Sequence, residues 1–225
     1  MAEVTRPIRV CLMSFERMDL VDFAGPLETL SHACDSLGAQ IFLVEVAGLA
    51  DGVKIMQSLT IHRDISLEKA MASLTEYDVL IVPGATYETT NNLCASDTPI
   101  KDVISQFAEL PAAHTGRPRI LLSICSGSFF LGSVSVLKGR RATTHYTIIP
   151  QLEQLCEQHG ETEVVRKRFL YAGFLENGVR VVTSGGITSG FDATLYIVEL
   201  LCGKSCADEA SDTLDYQWRR AGGLF

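Results

Sequence analysis

Arg119-Ile120-Leu121-Leu122-Ser123-Ile124-Cys125-Ser126-Gly127-Ser128-Phe129-Phe130-Leu131-Gly132 is the stretch on which the fold turns. The apolar run Ile120 to Ile124 reads as a buried strand. A reactive sulfur follows, then small residues, then an apolar helical pattern. That layout is a nucleophile elbow, in which a sharp strand-to-helix turn lifts the nucleophile above a parallel sheet. Ser126, Gly127 and Ser128 supply the small neighbours the turn needs. The helix N-terminus behind the sulfur offers N–H groups and a positive dipole end, which favour thiolate and predict a depressed pKa for Cys125. Cys11, Cys34, Cys94, Cys156, Cys202 and Cys206 read as structural thiols, a common role for free cysteine. Cys11 lies inside an apolar strand, Cys202 and Cys206 close an apolar helix, and the spacings fit no tetrahedral zinc signature.

Outward from the elbow, strands alternate with helices. Ile8 to Phe15 is a buried first strand. A loop from Glu16 to Ala24 leads to a helix opened by Gly25-Pro26, with proline at its first position, and stopped by Gly38. Ile41 to Val46 is a second strand, Gly48 to Ser66 an edge hairpin, and Leu67 to Leu74 a short helix. Asp78 to Val82 is a strand ending at Pro83-Gly84, followed by a loop and a helix from Pro99 to Ala113. His114 to Pro118 is a connector. The elbow helix ends near Gly139, Arg141 to Thr144 is a short strand, and Ile149 to His159 is a helix. Val164 to Ala172 and Val179 to Ser184 are strands joined by the turn Glu176-Asn177-Gly178. Helices over Gly190 to Cys202 and Ala207 to Arg219 close the chain. This order predicts an α/β three-layer sandwich with a mainly parallel central sheet, as one domain over residues 1–225.

The 225 residues and 47% hydrophobic content suit one sizeable core. A net charge of −8 argues against a nucleic-acid surface. The runs Arg166-Lys167-Arg168 and Arg219-Arg220 read as solvated faces. No apolar stretch is long enough to span a bilayer, and residues 1–7 do not form a signal peptide. The expectation is a cytoplasmic protein with free thiols and no membrane or nucleic-acid partner.

In such sheets ligands bind outside the carboxyl ends of the strands. The acidic loop after the first strand, Pro83-Gly84 and Cys125 all fall there. Asp22 either caps the following helix or reaches the thiol, while Asp19 reads as solvent-facing. A carboxyl group beside a thiolate in a dry pocket shares one proton with it, because two negative charges cannot both persist cheaply. Such a pair supplies a nucleophile and an acid. The N–H groups after Gly84, after Cys125 and near Ile187 are candidate anion donors, alongside the Gly-rich Ser184 to Gly190 segment. That segment reads equally as a tight turn. His145 reads as a hydrogen-bonded structural residue, although a Cys/His dyad would make a cysteine hydrolase.

Asp22-Phe23-Ala24-Gly25-Pro26, Ser123 to Ser128, Ala142-Thr143-Thr144-His145-Tyr146 and Ser184 to Asp192 resemble the ThiJ/PfpI superfamily, with its glutamine amidotransferase-like fold, over Ile8 to Gly203. Within it the chain resembles isocyanide hydratase-like members. An aspartate stands in the Asp-x-x-Gly-Pro context, a hydroxyl residue follows the nucleophile, and a Gly-Gly-Ile-Thr-x-Gly loop is present. The resemblance implies catalysis by Cys125 and Asp22, and substrate binding by Gly84, Ser126, Gly185 and Ile187, with no metal or cofactor. It also implies a homodimer acting on a small molecule. The implied activity is a lyase, hydrating an isocyanide to an N-formamide through a thioimidate on Cys125. Alternatives are a glutathione-independent glyoxalase or deglycase, whose family members carry glutamate and a nearby histidine, and a redox-sensing thiol protein. Pro83-Gly84-Ala85 departs from the family's Pro-Gly-Gly and Ser126 from a threonine. A late His-x-Glu pair, needed by glutaminases, is missing.

Overall fold

Strand β1 (Ile8–Ser14) is apolar almost throughout because both its faces are covered. A computed structural model describes residues 6–55, 59–111 and 116–220 of the chain. Strands β2 (Phe42–Gly48), β5 (Ile65–Ser66), β6 (Val79–Val82), β7 (Ile120–Ile124), β10 (Phe169–Phe174) and β11 (Arg180–Ser184) join β1 in a seven-stranded sheet. The order is β10-β11-β7-β6-β1-β2-β5, and every pairing is parallel except β10 with β11. The fold is therefore α/β with a mostly parallel central sheet, and β1, β6 and β7 run side by side. Their carboxyl ends, Ser14, Val82 and Ile124, deliver three loops to one crevice.

Helices cover the sheet: α1 (Leu20–Ser31), α2 (Leu67–Ala72), α3 (Tyr87–Ala95), α4 (Pro99–Glu109), α5 (Ser128–Ser133), α6 (Ile149–His159), α7 (Ser189–Cys202) and α8 (Lys204–Thr213). α4 shows why: Ile100, Val103, Ile104 and Phe107 recur at helical spacing and are fully buried. Two small sheets stand apart, an antiparallel hairpin of β3 (Gly52–Lys54) and β4 (Thr60–His62), and a parallel pair of β8 (Arg140–Ala142) and β9 (Thr162–Val164). No helix among the described residues is long and apolar enough to cross a membrane.

Several elements differ from the sequence reading. α1 begins at Leu20, so Pro26 lies inside it and removes the N–H that would bond the carbonyl one turn back. The segment after Gly84 is not a plain loop. Thr86 caps α3 by accepting from Thr89 N, and the helix is polar enough to lack an apolar stripe. α5 stops at Ser133, well short of Gly139, and the long strand expected from Val164 is broken between β9 and β10. Arg168 lies in that break and is buried, not solvated. Its Nε donates to Asp192 Oδ2 at 2.5 Å, and Tyr216 Oη donates to the same carboxylate at 3.1 Å. The expected helix end at Ala113 and the start of the connector at His114 lie outside the described residues.

Candidate active site

Cys125 sits at the carboxyl end of β7 with φ +54°, a left-handed conformation that side-chain-bearing residues rarely adopt. The turn is held from several sides. Cys125 N donates to Gly185 O at 3.2 Å, and Gly185 N donates to Arg168 O at 2.7 Å. Thr144 Oγ1 and Ser128 Oγ both donate to the Cys125 carbonyl, at 2.9 and 3.1 Å. Strain of this kind persists only where surroundings over-determine it, and it clusters at functional sites. Ile187, on the opposite wall, is also left-handed at φ +55°.

Because α1 begins at Leu20, Asp22 occupies the first helical turn and is not its cap; Asp19 is the N-cap residue and its side chain makes no capping bond. The Asp22 side chain turns inward and is fully buried. Gly84 N donates to Oδ2 at 3.2 Å and Ile187 N to Oδ1 at 3.1 Å, and the carboxyl is hydrogen-bonded to the Cys125 sulfur. Asp19 is half-buried rather than solvent-facing, and reactive atoms of Asp19, Asp22 and Cys125 all lie within 4.8 Å of one another.

Three acidic groups crowded together out of water repel each other's charge. Burial, then Asp19, raise Asp22 to about 7, against the pull of the Gly84 N–H, the Cys125 side chain and the Ile187 N–H. Burial, then Asp22, raise the Cys125 thiol well above its ordinary value, while the Ser126 N–H opposes them. This corrects the expectation of a depressed thiol. α5 has only six residues and follows a 3₁₀ turn over Cys125–Gly127, so its dipole is outweighed. The pair titrates as a unit: it surrenders its first proton near neutrality and holds the second strongly.

Gly84 and Ile187 act on the site through backbone N–H groups on Asp22. A Cβ on Gly84 would fall 2.8 Å from Asp22 Oδ2 and from Ser126 N, so the loop can approach only because residue 84 lacks a side chain. The Ser126 side chain is buried and fully used within the scaffold. It accepts from Ala85 N at 2.9 Å, donates toward Ala85 O at 2.8 Å and meets Thr90 Oγ1 at 2.8 Å. Of the anion donors expected, Ala85 N is therefore taken by Ser126 and Ile187 N by Asp22; Ser126 N is the one that faces the sulfur.

A cavity of about 190 Å³ opens over the sulfur, between Asp19, Ala85, Tyr87, His145, Ile148 and Ile187. Ala85 forms part of its wall. The sequence reading did not place Asp19 or His145 here. His145 follows β8 and caps a 3₁₀ turn, and Nδ1 is 2.8 Å from Thr147 Oγ1. Burial lowers its pKa, partly countered by Asp19. The signal that could have found both is their position at strand ends on the sulfur side of the sheet. A larger cavity, about 350 Å³ and lined by Phe15, Arg17, Leu49, Val53 and Leu93, carries no thiol or buried acid, so size alone does not mark the chemistry.

Residues 8–200 match the model of the DJ-1/PfpI family. The isonitrile hydratase of Pseudomonas putida is 26% identical over 209 residues, covering 93% of this chain and 78% of that protein. The protein DJ-1alpha of Drosophila melanogaster is 28% identical over 189 residues, covering 83% of this chain and 77% of that one. Among solved structures, a ThiJ/PfpI family protein from Pseudomonas syringae superposes with a TM-score of 0.73 at 20% identity, over 95% of this chain and 77% of that one.

Proposed function

The chain belongs to the DJ-1/PfpI family, and on that premise we propose that it is a cysteine-dependent hydratase, a lyase adding water to a small electrophile in the Cys125 crevice. One observation carries the reading: a fully buried carboxyl group with a pKa near 7 hydrogen-bonded to a strained, elbow-mounted sulfur. The substrate class that fits is an isocyanide, whose terminal carbon accepts a nucleophile and has no leaving group. Asp22 takes the thiol proton as sulfur attacks that carbon, so no free thiolate need accumulate against the local charge. Asp22 then delivers the proton to the carbon, giving a thioimidate on Cys125. The ionised carboxylate draws a proton from water as its oxygen attacks the same carbon. Asp22 passes that proton to the nitrogen, which has taken up the C=N electron pair. The C–S bond then breaks as the new hydroxyl becomes C=O, the hydroxyl proton returns to sulfur through Asp22, and the product is the N-formamide. Gly84 and Ile187 hold the acid in place, and the Ser126 N–H faces the sulfur as it gains and loses charge. The relative that carries the name isonitrile hydratase supports this substrate.

The test is formamide production from an aryl isocyanide by wild type, Cys125→Ala and Asp22→Asn. Turnover by wild type alone supports the mechanism, whereas equal rates in all three proteins refute it. A second reading has its own observation. His145 and Asp19 flank the sulfur, and a histidine with an acid beside a nucleophilic cysteine suits proton transfer on a 2-oxoaldehyde. Methylglyoxal consumption without isocyanide turnover would favour that glyoxalase-type reading. Rapid peroxide oxidation of Cys125 with neither activity would favour a redox-sensing thiol. The chain is proposed to act as a two-fold homodimer, which light scattering at micromolar concentration tests.

A further inference from the structure

Two thiols of the chain meet at the far end of the sheet from Cys125. α7 starts beside the catalytic crevice and runs roughly 20 Å to Cys202, its last residue. Gly203, with φ +91°, both ends α7 and precedes α8, so the chain reverses direction within one residue. Gly203 N donates to Glu199 O at 2.9 Å, and Ala207 N donates to Gly203 O at 3.3 Å. That tight junction brings Cys206, in the first turn of α8, against Cys202. The two side chains are in hydrogen-bonding contact, and Cys206 Sγ also reaches the Cys34 carbonyl at 3.5 Å. Cys202 is partly exposed, and Cys206 retains 9% exposure, so the site reaches solvent through Cys202.

We propose that Cys202 and Cys206 are a vicinal dithiol site that closes to an intramolecular disulfide when the protein meets a peroxide. The Cys206 thiolate attacks one peroxide oxygen, breaking the O–O bond and giving a sulfenic acid plus water. The Cys202 sulfur then attacks the sulfenic sulfur, the S–S bond forms, and a second water leaves. Two thiols are oxidised by two electrons and one peroxide is reduced to two waters. The surroundings favour this order. A Cys206 thiolate is stabilised by the Cys202 S–H, which lowers the Cys206 pKa against the opposing effects of burial and Glu209. By contrast burial raises Cys11 to about 12 and Cys94 to about 11, which leaves both inert. The same geometry suits thiophilic trivalent arsenic, which binds two sulfurs at once.

The test uses the full chain with Cys125→Ser, so that the elbow sulfur cannot contribute. After mild hydrogen peroxide and alkylation, trypsin cuts at Lys204, between the two cysteines, so a bridge joins two separate peptides in the unreduced digest. The expected result is that linked pair, about 2 Da lighter than the free thiols, with dimedone trapping Cys206 in the Cys202→Ser variant. Phenylarsine oxide should bind the untreated protein, and either single serine variant should weaken it by roughly a hundredfold, the gain expected of two tethered ligands. This arm needs no oxidation and no catalytic activity. The proposal is overturned if Cys202 and Cys206 both remain alkylatable under peroxide that fully oxidises Cys125 in wild type, or if the bridges found join separate chains or involve Cys34.

Discussion

Cys11 and Cys125 are both buried thiols on strands of one parallel sheet, and they have opposite prospects. Cys11 lies mid-strand in β1, opposite Leu80 on one side and Glu45 on the other, with no accessible surface. Cys125 is 4% exposed, hardly different by that measure. Burial raises the pKa of both. The difference lies in what surrounds the sulfur. Cys125 stands at a strand end in a left-handed turn, under an open cavity, with an N–H on one side and a protonatable carboxyl on the other. In the proposed reaction Cys125 acts as a nucleophile through a partner that can take its proton, and not through a low pKa of its own.

The largest expected effect separates the two cysteines directly. Cys125→Ala should lower turnover by about a thousandfold or more with little change in stability, because it removes the proposed nucleophile. Cys11→Ser should do the reverse, leaving kcat intact and costing about 1–3 kcal/mol by burying a hydroxyl without a partner. Steady-state rates and urea unfolding of both variants check this. If Cys11→Ser proves as inactive as Cys125→Ala, the contrast fails.

Asp22→Asn should come next, lowering turnover by about 10²- to 10⁴-fold while the fold persists. The same variant sharpens the contrast through pH. Asp22 has its pKa raised from 3.8 to about 7 in the folded chain. Below about 4 the group is neutral folded and unfolded. As pH rises from there, the unfolded chain releases the proton and the folded chain keeps it, so stability falls until about 7. The loss is on the order of 4 kcal/mol at most, since each pKa unit corresponds to about 1.4 kcal/mol. Cys125, also raised, adds a further loss in alkaline solution. Melting temperature against pH should therefore slope downward between pH 4 and 7 in wild type, and the slope should flatten in Asp22→Asn. Parallel curves would mean that Asp22 is ionised in the folded state.

A smaller effect is expected from Gly84→Ala, whose Cβ would press on Asp22 and on the Ser126 backbone. It should cut kcat by about 10²-fold, as misplacement of a catalytic group does, and the acidic limb of the pH–rate profile should move with it. The smallest effect is His145→Ala. Isocyanide turnover should change by only a few-fold, because His145 bonds Thr147 and takes no part in the Asp22 relay. Loss of activity on 2-oxoaldehydes in this variant, measured side by side, would assign the histidine to the second chemistry.

The residues Ile120 to Gly132 were enough by themselves to determine a strand, an elbow and the sulfur on it, because a β-branched and apolar run followed by small residues has few other solutions. The alternation of strands and helices likewise determined a mainly parallel sheet, and so the end at which ligands would bind. What the sequence left open at Asp22, cap or acid, depended on where α1 starts, and Gly25-Pro26 gave a misleading local signal. Tertiary packing overrode it, since starting the helix at Leu20 places Asp22 inside, where Gly84 and Ile187 bond its carboxylate. Likewise Arg168 looked solvated within a basic run until Asp192, distant in sequence, neutralised it in the core. The raised thiol and the crowding of Asp19, Asp22 and Cys125 arise from three strands being neighbours, which no single stretch encodes. Local sequence fixes which groups are available and on what element they ride. Burial and the distance between charges depend on elements far apart in the chain, and those two quantities set the proton affinities of the site.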